Sequence, residues 1–544
     1  MAAPRSFFAS AKLIAAWTLV SRVTGLARDI LLNAAFGQTW IQDAFNYGFQ
    51  IPNLFRRLFG EGALSAVFVP TFTETLERHG RPAAWALLGK VLARVVVVLT
   101  ALTLVLEAAI VAIWWGEPPG QLELILSTTA IMLPFMISIC VVALFSSILN
   151  CLGRFGGPAA MPIVLNVCTI VAIAWIAPAI GGSPESQVKI VAISVLVTGA
   201  VQVLVMRPML RRAGVELPLA WGAQDDALTT MRRAFVPVLL GQGVLLLSSF
   251  LDTQICTILS RPPEAPASFE VLGRSIDYPL EAGALSAVTN AQRLYQFPLG
   301  VLAISLATAA LPTLSLYATQ GNMAGLRDAL NRALRLAIFE GLPCGMILVV
   351  LAEPIIRLLF QYGAYTPEAT ERAAAVLRWY GLGVWAFCTQ HVVLRGFYSL
   401  KDTRTPMWVG VWLVTLNTVI SFALIWQPAV RERAFGIATS ATAMLNVGIS
   451  LLLLRRRVGG RIGGRTLAAS LIRTLIATLA AAVVAYLLHR WSAPWTVASS
   501  RLAERCTHVF LPLGGAALAY LATAFALRMD EIRWLLPRRA LSPH

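Results

Sequence analysis

Residues 91–114 read VLARVVVVLTALTLVLEAAIVAIW, and this stretch decides the fold class. Only Arg94 and Glu107 interrupt a run that exceeds the roughly 20 apolar residues a helix needs to cross a bilayer. The residues do not alternate between apolar and polar, as the strands of an outer-membrane barrel do. The segment therefore predicts a membrane-spanning α-helix.

The rest of the chain has the same character. Of its 544 residues, 57% are apolar and 13% are charged, whereas a soluble domain has about 25% charged residues. The mean hydropathy is +0.71. This composition excludes a soluble globular protein and predicts an all-α polytopic membrane protein. About fourteen stretches can span a bilayer: 10–36, 41–70, 91–114, 122–150, 158–178, 189–206, 234–260, 285–317, 333–356, 373–400, 406–426, 434–454, 466–488 and 508–527.

The net charge is +17. In a soluble protein this excess would suggest binding to nucleic acid, but here most basic residues lie in short segments between apolar runs. If the N-terminus is placed inside, the cytoplasmic segments hold far more Lys and Arg than the outer loops, which is the topology signal of membrane proteins. We expect both termini to be cytoplasmic and nucleic acid not to be a partner.

No catalytic motif is apparent in the sequence. Gly89-Lys90 lacks the upstream glycine of a P-loop, the five His residues form no HExxH pair, and GxSxG is absent. The seven Cys residues show no CxxC spacing, which argues against a metal centre or a disulfide framework. We expect a transporter rather than an enzyme, with no organic cofactor.

Short motifs recur in the same order in the two halves of the chain. The pairs are Gln50-Ile51-Pro52 with Gln296-Phe297-Pro298, Val69-Pro70-Thr71-Phe72 with Leu311-Pro312-Thr313-Leu314, and Leu165-Asn166 with Leu416-Asn417. The repeat predicts two pseudo-symmetric six-helix lobes, residues 1–215 (helices 1–6) and 216–456 (helices 7–12). Residues 457–544 hold two further helices and a cytoplasmic tail. Repeated halves are typical of secondary transporters.

Charged residues within the first predicted helix are the most informative feature. In Ser21-Arg22-Val23-Thr24-Gly25-Leu26-Ala27-Arg28-Asp29, the helical period places Arg22, Gly25 and Arg28 on one face. An Arg at the centre of a spanning helix costs about 2.5–3.5 kcal/mol, so it should face a cavity or a partner. The glycine between them predicts a gap for a bulky ligand or a bend. Alternatively, Arg28 pairs with Asp29 and Arg22 extends to a membrane surface.

The second predicted helix repeats this pattern. Asn53, Arg56 and Gly60 follow the i, i+3, i+7 spacing of one helical face. Arg57 and Glu61 are spaced i, i+4 and can satisfy each other, so Arg56 is the stronger functional candidate. Arg293 stands at the matching place in the second half. The other arginines in predicted spans are expected to pack or to extend to a membrane surface: Arg94, Arg357, Arg378, Arg395 and Arg473.

Three or four arginines directed at a membrane cavity, with few carboxylates to neutralise them, require an anion. Arg binds phosphate through two parallel hydrogen bonds and stays charged when it is desolvated. A diphosphate carried on a lipid fits both the charge and the location. The residues by themselves indicate an exporter of an anionic amphiphile.

At these residues the sequence resembles the MurJ/MviN family of lipid II flippases, within the multidrug/oligosaccharidyl-lipid/polysaccharide exporter superfamily. The motifs that carry the resemblance are Ser21–Asp29, Asp43–Phe45, Pro52–Ala63, Arg293–Val301, Phe360–Gly363 and Gly396–Ser399. The resemblance covers nearly the whole chain. It implies fourteen helices, two six-helix lobes and a basic central cavity, with a groove for the undecaprenyl tail along helices 13 and 14. One departure is the outer loop near residues 261–284, which is longer than the family usually carries.

The function implied by the resemblance is movement of the undecaprenyl-diphosphate-linked peptidoglycan precursor, lipid II, from the cytoplasmic to the outer leaflet by alternating access. The implied setting is the bacterial inner membrane, where the protein would act as a monomer among membrane lipids and beside the machinery of cell-wall synthesis. The candidate substrate-binding residues are then Ser21, Arg22, Gly25, Arg28, Asp43, Asn53, Arg56, Glu61 and Arg293.

The resemblance also raises the question of a driving ion. Some family members hold sodium between helices 7, 11 and 12, and Asp252 with Asn417 would supply two oxygen ligands here. Ser421 stands at the position where a second carboxylate ligand is expected, so the sequence also allows the sodium site to be missing. The alternative is a lone Asp252 bonded to neighbouring hydroxyl groups, with the membrane potential as the driving force.

Three other functions stay open at this point. The first is a flippase for another polyprenyl-diphosphate glycan, and the second is a drug/cation antiporter of the same superfamily. An antiporter that binds cations should carry cavity carboxylates instead of arginines. The third is a glycosyltransferase or polymerase that acts on the same lipid, which would need a catalytic carboxylate on an outer loop. Glu264, Glu270 and Glu281 are the candidates for it.

Overall fold

The computed structural model describes residues 4–116, 120–217, 226–263, 265–271, 273–460, 462–492 and 501–535. Within these ranges, side chains are described except at 4–15, 60–66, several positions of 226–245, and residues 271, 501 and 535. Glu264 and the side chain of Glu61 therefore lie outside the described part of the chain.

Helices make up nearly all of the described residues. Before the loop at 261–284 they are α1 (Pro4–Phe36), α2 (Trp40–Phe55), α3 (Leu64–Trp114), α4 (Gly120–Met132), α5 (Phe135–Cys151), α6 (Gly156–Val171), α7 (Ala177–Ile180), α8 (Pro184–Arg212) and α9 (Asp226–Leu259). After this loop they are α10 (Ala284–Pro298), α11 (Ile304–Thr319), α12 (Met323–Val350), α13 (Ala352–Phe360), α14 (Pro367–Ser399), α15 (Arg404–Leu424), α16 (Arg433–Arg457), α17 (Gly464–Ser492), α18 (Arg501–Ala526) and α19 (Asp530–Leu535).

A two-stranded hairpin lies between α9 and α10 in the sequence. Strands β1 (Ser268–Val271) and β2 (Arg274–Asp277) pair antiparallel, with Phe269 opposite Ile276. Both strands lie in the loop at 261–284, which the sequence analysis found to be unusually long. Glu270 on β1 is exposed.

The predicted fold class, an all-α polytopic membrane protein, is confirmed. Ten helical stretches of the described residues are long and apolar enough to cross a membrane: Val67–Trp114, Gly120–Cys151, Gly156–Ile180, Pro184–Arg212, Ala284–Thr319, Met323–Val350, Arg404–Leu424, Arg433–Arg457, Gly464–Ser492 and Leu502–Ala526. The predicted stretches 10–36, 41–70 and 373–400 are also helical but more polar, and 234–260 contains the shorter apolar segment Leu246–Leu259. The count of about fourteen crossings stays a prediction.

Packing divides the chain into two compact units. The first unit holds Met1–Ser286 with Tyr362–Tyr365, and the second holds Ala287–Gln361 with Thr366–His544. In the first unit α9 packs against α3, whereas the repeat assigned the corresponding predicted helix to the second half. The division into lobes at 1–215 and 216–456, with 457–544 outside them, rests on the sequence repeat and stays a prediction.

Both copies of the repeated Gln-x-Pro motif stand before a π-helical segment. Pro52 lies in α2 just before the π-helical residues Arg56–Ala63, and Pro298 ends α10 just before Leu299–Ala303. A proline lacks the amide hydrogen and its ring clashes with the preceding turn, so it disturbs the regular hydrogen bonds of an α-helix. The two halves therefore share a backbone irregularity at matching places, and such π-turns are frequent at functional sites.

The core of the first unit includes aromatic packing around a kink in α3. Gly80 has a φ of 75°, a conformation that glycine adopts without strain, and the two helical segments of α3 meet there. The ring of Phe72 then lies 5.2 Å from that of Phe68 and 6.0 Å from that of Trp85. These rings are buried, so they hold the two arms of α3 together.

The second unit is built on close helix contacts. In it α12 packs on α14, α14 on α16, and α17 on α18. A Cβ atom on Gly345 would collide with the carbonyl oxygen of Gly381, and one on Gly383 would collide with Ser440. Small residues allow helix backbones to approach in this way where water supplies no driving force for association.

A buried ion pair holds the short helix α19 against α12, within the second unit. Glu531 is 1% exposed, and its Oε1 lies 2.8 Å from Nε of Arg335 on α12. The same carboxylate oxygen accepts a hydrogen bond from the Ser470 hydroxyl on α17 at 2.5 Å. Asp530 adds a second ion pair to Arg335 at 2.9 Å, and the ring of Trp534 lies 4.8 Å from the guanidinium. These contacts tie the end of the described chain to α12 and α17.

We expect Glu531→Gln to destabilise the protein by about 3 kcal/mol. Removing one partner of a buried ion pair leaves the other uncompensated, and the exposed Asp530 replaces the lost charge only in part. The measurement is thermal unfolding of the purified protein in detergent. Arg78→Gln is the matched control, because its ion pair with Glu74 is exposed and contributes about 0.2–1 kcal/mol. Equal effects of the two changes would contradict the prediction.

Candidate substrate-binding site

The predicted glycine gap in α1 is filled by a side chain from α6. Asn166 is buried, and its Nδ2 donates to the carbonyl oxygen of Ser21 and to the Thr24 hydroxyl, each at 3.1 Å. A Cβ atom on Gly25 would stand 3.4 Å from the same nitrogen. Gly25 therefore gives α6 room to approach α1. The sequence had shown Asn166 only as part of the repeat.

Arg28 is held by the adjacent carboxylate. Its Nη2 lies 2.7 Å and its Nε 3.1 Å from Oδ1 of Asp29, and its guanidinium carbon lies 5.9 Å from the centre of the Phe49 ring. The side chains of Arg28 and Asp29 are 11% and 15% exposed. This is the pairing that the sequence left open as an alternative. An anion that binds Arg28 must therefore compete with Asp29. Arg22 is half-buried on the same helix.

Arg56 and Asn53 are brought together at the end of α2. The Nε of Arg56 donates to Oδ1 of Asn53 at 3.1 Å. The α-helical spacing ends at Phe55, because Arg56–Ala63 is π-helical. Two predictions assumed that a regular α-helix continues here. One was a shared face of Asn53, Arg56 and Gly60, and the other was an i, i+4 contact of Arg57 with Glu61. The assumption of a regular α-helix is wrong beyond residue 55. Pro52 was the signal for the irregularity.

Asp43 is bound to the N-terminal end of α10. It is 3% exposed, and its carboxylate accepts hydrogen bonds from the Gly283 amide at 2.9 Å, the Ser286 amide at 2.7 Å and the Ser286 hydroxyl at 2.5 Å. Anions are favoured at this end of a helix, where amide groups lack helical partners. In this structure the carboxylate has a structural role, and its predicted contact with substrate stays a prediction.

Arg293 lies on the exposed side of α10, in the second unit. Its neighbours fix this helix: Gln292 donates to the Tyr380 hydroxyl at 3.1 Å, and the Tyr295 ring stacks on Tyr380 and Phe387 at 4.7 and 5.2 Å. Arg22, Arg28 and Arg56 lie in the first unit. The convergence of all four arginines on one anion stays a prediction.

The two predicted sodium ligands lie in different units. Asp252 is on α9 in the first unit and is 4% exposed, and Asn417 is on α15 in the second unit and is 2% exposed. The Thr442 hydroxyl lies 3.5 Å from Oδ1 of Asn417. The described residues contain no group of three His, Cys, Asp or Glu side chains that could hold a metal ion. The buried Ser421 hydroxyl has no hydrogen-bond partner within that part of the chain.

Sequence relatives match the chain along most of its length. A family model described as "Lipid II flippase MurJ" matches residues 32–503. A probable lipid II flippase MurJ of Rhizobium tropici is 30% identical over 536 residues, which cover 97% of this chain and 96% of the relative. A protein of the same description from Vibrio cholerae is 31% identical over 450 residues, which cover 80% of this chain and 81% of the relative.

Solved structures share the fold. A lipid II flippase MurJ in an inward closed conformation has a TM-score of 0.71 at 21% identity, covering 96% of this chain and 100% of that one. An inward-facing multidrug resistance transporter of the MATE family, in the MOP superfamily, has a TM-score of 0.65 at 14% identity, covering 82% and 98%. At these identities the likeness concerns the fold alone.

We expect Asp43→Asn to lower stability by about 1.5–3 kcal/mol, because an amide accepts fewer and weaker hydrogen bonds from Gly283, which precedes α10, and from the two donors of Ser286. Ser286→Ala should have a milder effect, since it leaves both backbone amides bonded. Thermal unfolding in detergent is the measurement, with the exposed Asp277→Asn as control. A wild-type unfolding temperature together with lost transport would show instead that the carboxylate acts on the substrate.

Proposed function

The chain belongs to the MurJ family of lipid II flippases, and from this membership we propose that it carries lipid II from the cytoplasmic to the outer leaflet of a bacterial inner membrane. The family resemblance of the sequence is thereby confirmed. Arg22, Arg28 and Arg56, all partly buried in helices of the first unit, are the observation that carries the proposal. Guanidinium groups in this setting suit the diphosphate of such a lipid.

The ion pair between Arg28 and Asp29 suggests how the site is maintained without substrate. A guanidinium in a membrane helix is costly unless an anion neutralises it, and Asp29 does so at 2.7 Å. A diphosphate carries more negative charge than one carboxylate and offers more acceptor oxygens. The substrate then replaces Asp29 as the partner of Arg28, so that little positive charge is left uncompensated before or after binding.

The transport cycle we propose is alternating access between the two lobes, without covalent chemistry in this chain. The distribution of Lys and Arg supports cytoplasmic N- and C-termini. Helices α17 and α18, which lie outside the sequence repeat, would receive the undecaprenyl tail. We propose that the protein acts as a monomer that delivers lipid II to the enzymes of cell-wall synthesis.

The arginines test this proposal directly. Each of Arg22→Ala, Arg28→Ala, Arg56→Ala and Arg293→Ala should abolish transport, because each removes a charge-assisted bond of about 1.5–3 kcal/mol. Lys should restore activity only in part, because an ammonium keeps the charge without the two-pronged contact. The measurement is the transfer of labelled lipid II between leaflets in proteoliposomes, together with the leaflet in which lipid II accumulates when the protein is depleted in cells.

Two controls accompany the series. Arg57→Ala and Arg473→Gln replace exposed arginines and should retain most activity. All variants must be present in the membrane at wild-type levels. If Arg22→Ala and Arg293→Ala insert normally and still support growth as sole copies, the anion site is wrong. Accumulation of lipid II in the outer leaflet on depletion would contradict the flippase function itself.

We also propose that a monovalent cation bound by Asp252 drives lipid transport, with Asn417 as the second oxygen ligand. The alternative driving force is the membrane potential. The burial of both polar side chains supports this assignment. Carboxylate and amide oxygens are suitable ligands for a hard cation.

The sodium response of the variant Asp252→Asn tests this assignment. Transport should be faster in sodium than in choline buffer at fixed potential, and Asp252→Asn should lose the difference. The exposed Asp328→Asn should keep it. A wild-type protein that is fully active without sodium would remove the proposal.

A further inference from the structure

A cavity of about 270 Å³ lies among α12, α14 and α16 of the second unit, remote in sequence from the arginines of α1 and α2. Five of its lining residues come from one face of α14, at positions 371, 375, 378, 379 and 382. Val349 of α12 and Arg433 of α16 complete the lining. This part of α14 is near Pro367, the end that the charge pattern predicts to lie on the outer side of the membrane.

The cavity combines an apolar wall with charged groups. Val349, Ala375 and Leu382 form the wall, and Trp379 adds an aromatic ring. Trp379 and Leu382 are each 39% exposed, so the cavity opens on the surface of the unit. Trp side chains are enriched where a membrane meets water. The apolar wall and the exposed indole therefore suit the part of a lipid where the acyl chains join the headgroup.

The helices around the cavity are held in place by buried contacts. Arg372 of α14 forms an ion pair with Glu432 at 2.8 Å, with exposures of 24% and 8%. The Ser440 hydroxyl of α16 donates to the carbonyl oxygen of Trp379 at 2.7 Å. A Cβ atom on Gly436 would collide with Trp379 and with the carbonyl oxygen of Val376. The cavity thus lies between tightly packed helices whose separation is fixed.

The charges of the cavity are mixed. Arg378 and Arg433 supply two guanidinium groups, and Glu371 supplies a carboxylate. A carboxylate oxygen of Glu353 lies 3.9 Å from the Arg378 guanidinium and partly neutralises its positive charge. Arg433 is the first residue of α16, the end of a helix at which the peptide dipoles favour an anion. The Glu432 carboxylate that precedes Arg433 is neutralised by Arg372. A phosphate placed at Arg433 therefore finds positive potential, while a cationic group of the same ligand can reach Glu371.

We propose that this cavity binds the headgroup of a phospholipid that carries both a phosphate and a primary amine, as phosphatidylethanolamine does. The phosphate contacts Arg433 and Arg378, the ammonium group donates to Glu371, and the start of the acyl chains lies on Trp379 and Leu382. Two arginines and one carboxylate in the lining, with Glu353 beside Arg378, suit a zwitterion. They do not suit a diphosphate, which needs an excess of positive charge.

Lipid binding to the purified protein in detergent tests this site by native mass spectrometry. The probes are phosphatidylethanolamine, phosphatidylglycerol and phosphatidylcholine with identical acyl chains. We expect phosphatidylethanolamine to bind roughly tenfold to a hundredfold more tightly than the other two, about the effect of one charge-assisted hydrogen bond. The glycerol headgroup lacks the cation, and the quaternary ammonium of phosphatidylcholine has no hydrogen to donate to Glu371.

Two substitutions separate the two halves of the headgroup. Glu371→Gln should make phosphatidylethanolamine and phosphatidylglycerol bind equally, and Arg433→Gln should weaken both. Glu368→Gln and Arg431→Gln are matched controls, since both residues are exposed and neighbour the site without lining it. Unchanged unfolding temperatures would show that the variants are folded.

Three results would overturn the proposal: equal binding of the three lipids to the wild type, unchanged selectivity in Glu371→Gln, or glycerophosphoethanolamine binding as tightly as the lipid. The last would indicate a soluble phosphate ester as the ligand. The assay measures lipid binding without transport, so its failure and that of lipid II flipping are separate outcomes.

Discussion

A charged group inside a membrane helix must find a partner within the protein, and this constraint governs the first unit. Arg28 lies against Asp29, Arg56 against Asn53, and the Asp43 carboxylate against three donors at the start of α10. Each contact satisfies a group whose desolvation would otherwise be costly. An anion that binds there as proposed has to displace these contacts, and in that case the stability of the resting site and its affinity for a ligand depend on the same hydrogen bonds.

The backbone follows the same rule. Helices satisfy their own amides in lipid, and an irregular segment requires other elements to pack around it. The π-helical residues Arg56–Ala63 pack against α3, α5 and α9 within the first unit. Irregular backbone therefore occurs where the unit surrounds it with helices, and it carries Arg56 at its first position. Arg56, which is predicted to bind substrate, is thus the first residue of the irregular segment that follows α2.

The fold and the function have different sources. The helical architecture is shared with a multidrug transporter structure at 14% identity, so it is compatible with several substrates. The arginines of the first two predicted helices are predicted to hold an anion, whereas a transporter of cations is expected to carry carboxylates in its cavity. The zwitterion site proposed among α12, α14 and α16 is a second kind of lipid contact, which differs in charge from the diphosphate site proposed for the first unit.

The sequence by itself determined the membrane-helical fold class and the family, because apolar runs of spanning length and dense local motifs such as Ser21–Asp29 are properties of neighbouring residues. It also indicated the pairing of Arg28 with Asp29 as one of two possibilities, since the two are adjacent. Only the tertiary structure decided that Asn166 fills the space beside Gly25, that Asp43 binds the start of α10, and that α9 packs with the first unit. These contacts join residues more than a hundred positions apart, and helical periodicity carries no information about which distant helix comes near. The same limit explains the error in α2: the 3.6-residue period assumes a regular helix, and Pro52 with the π-helical turn after it changes which side chains share a face.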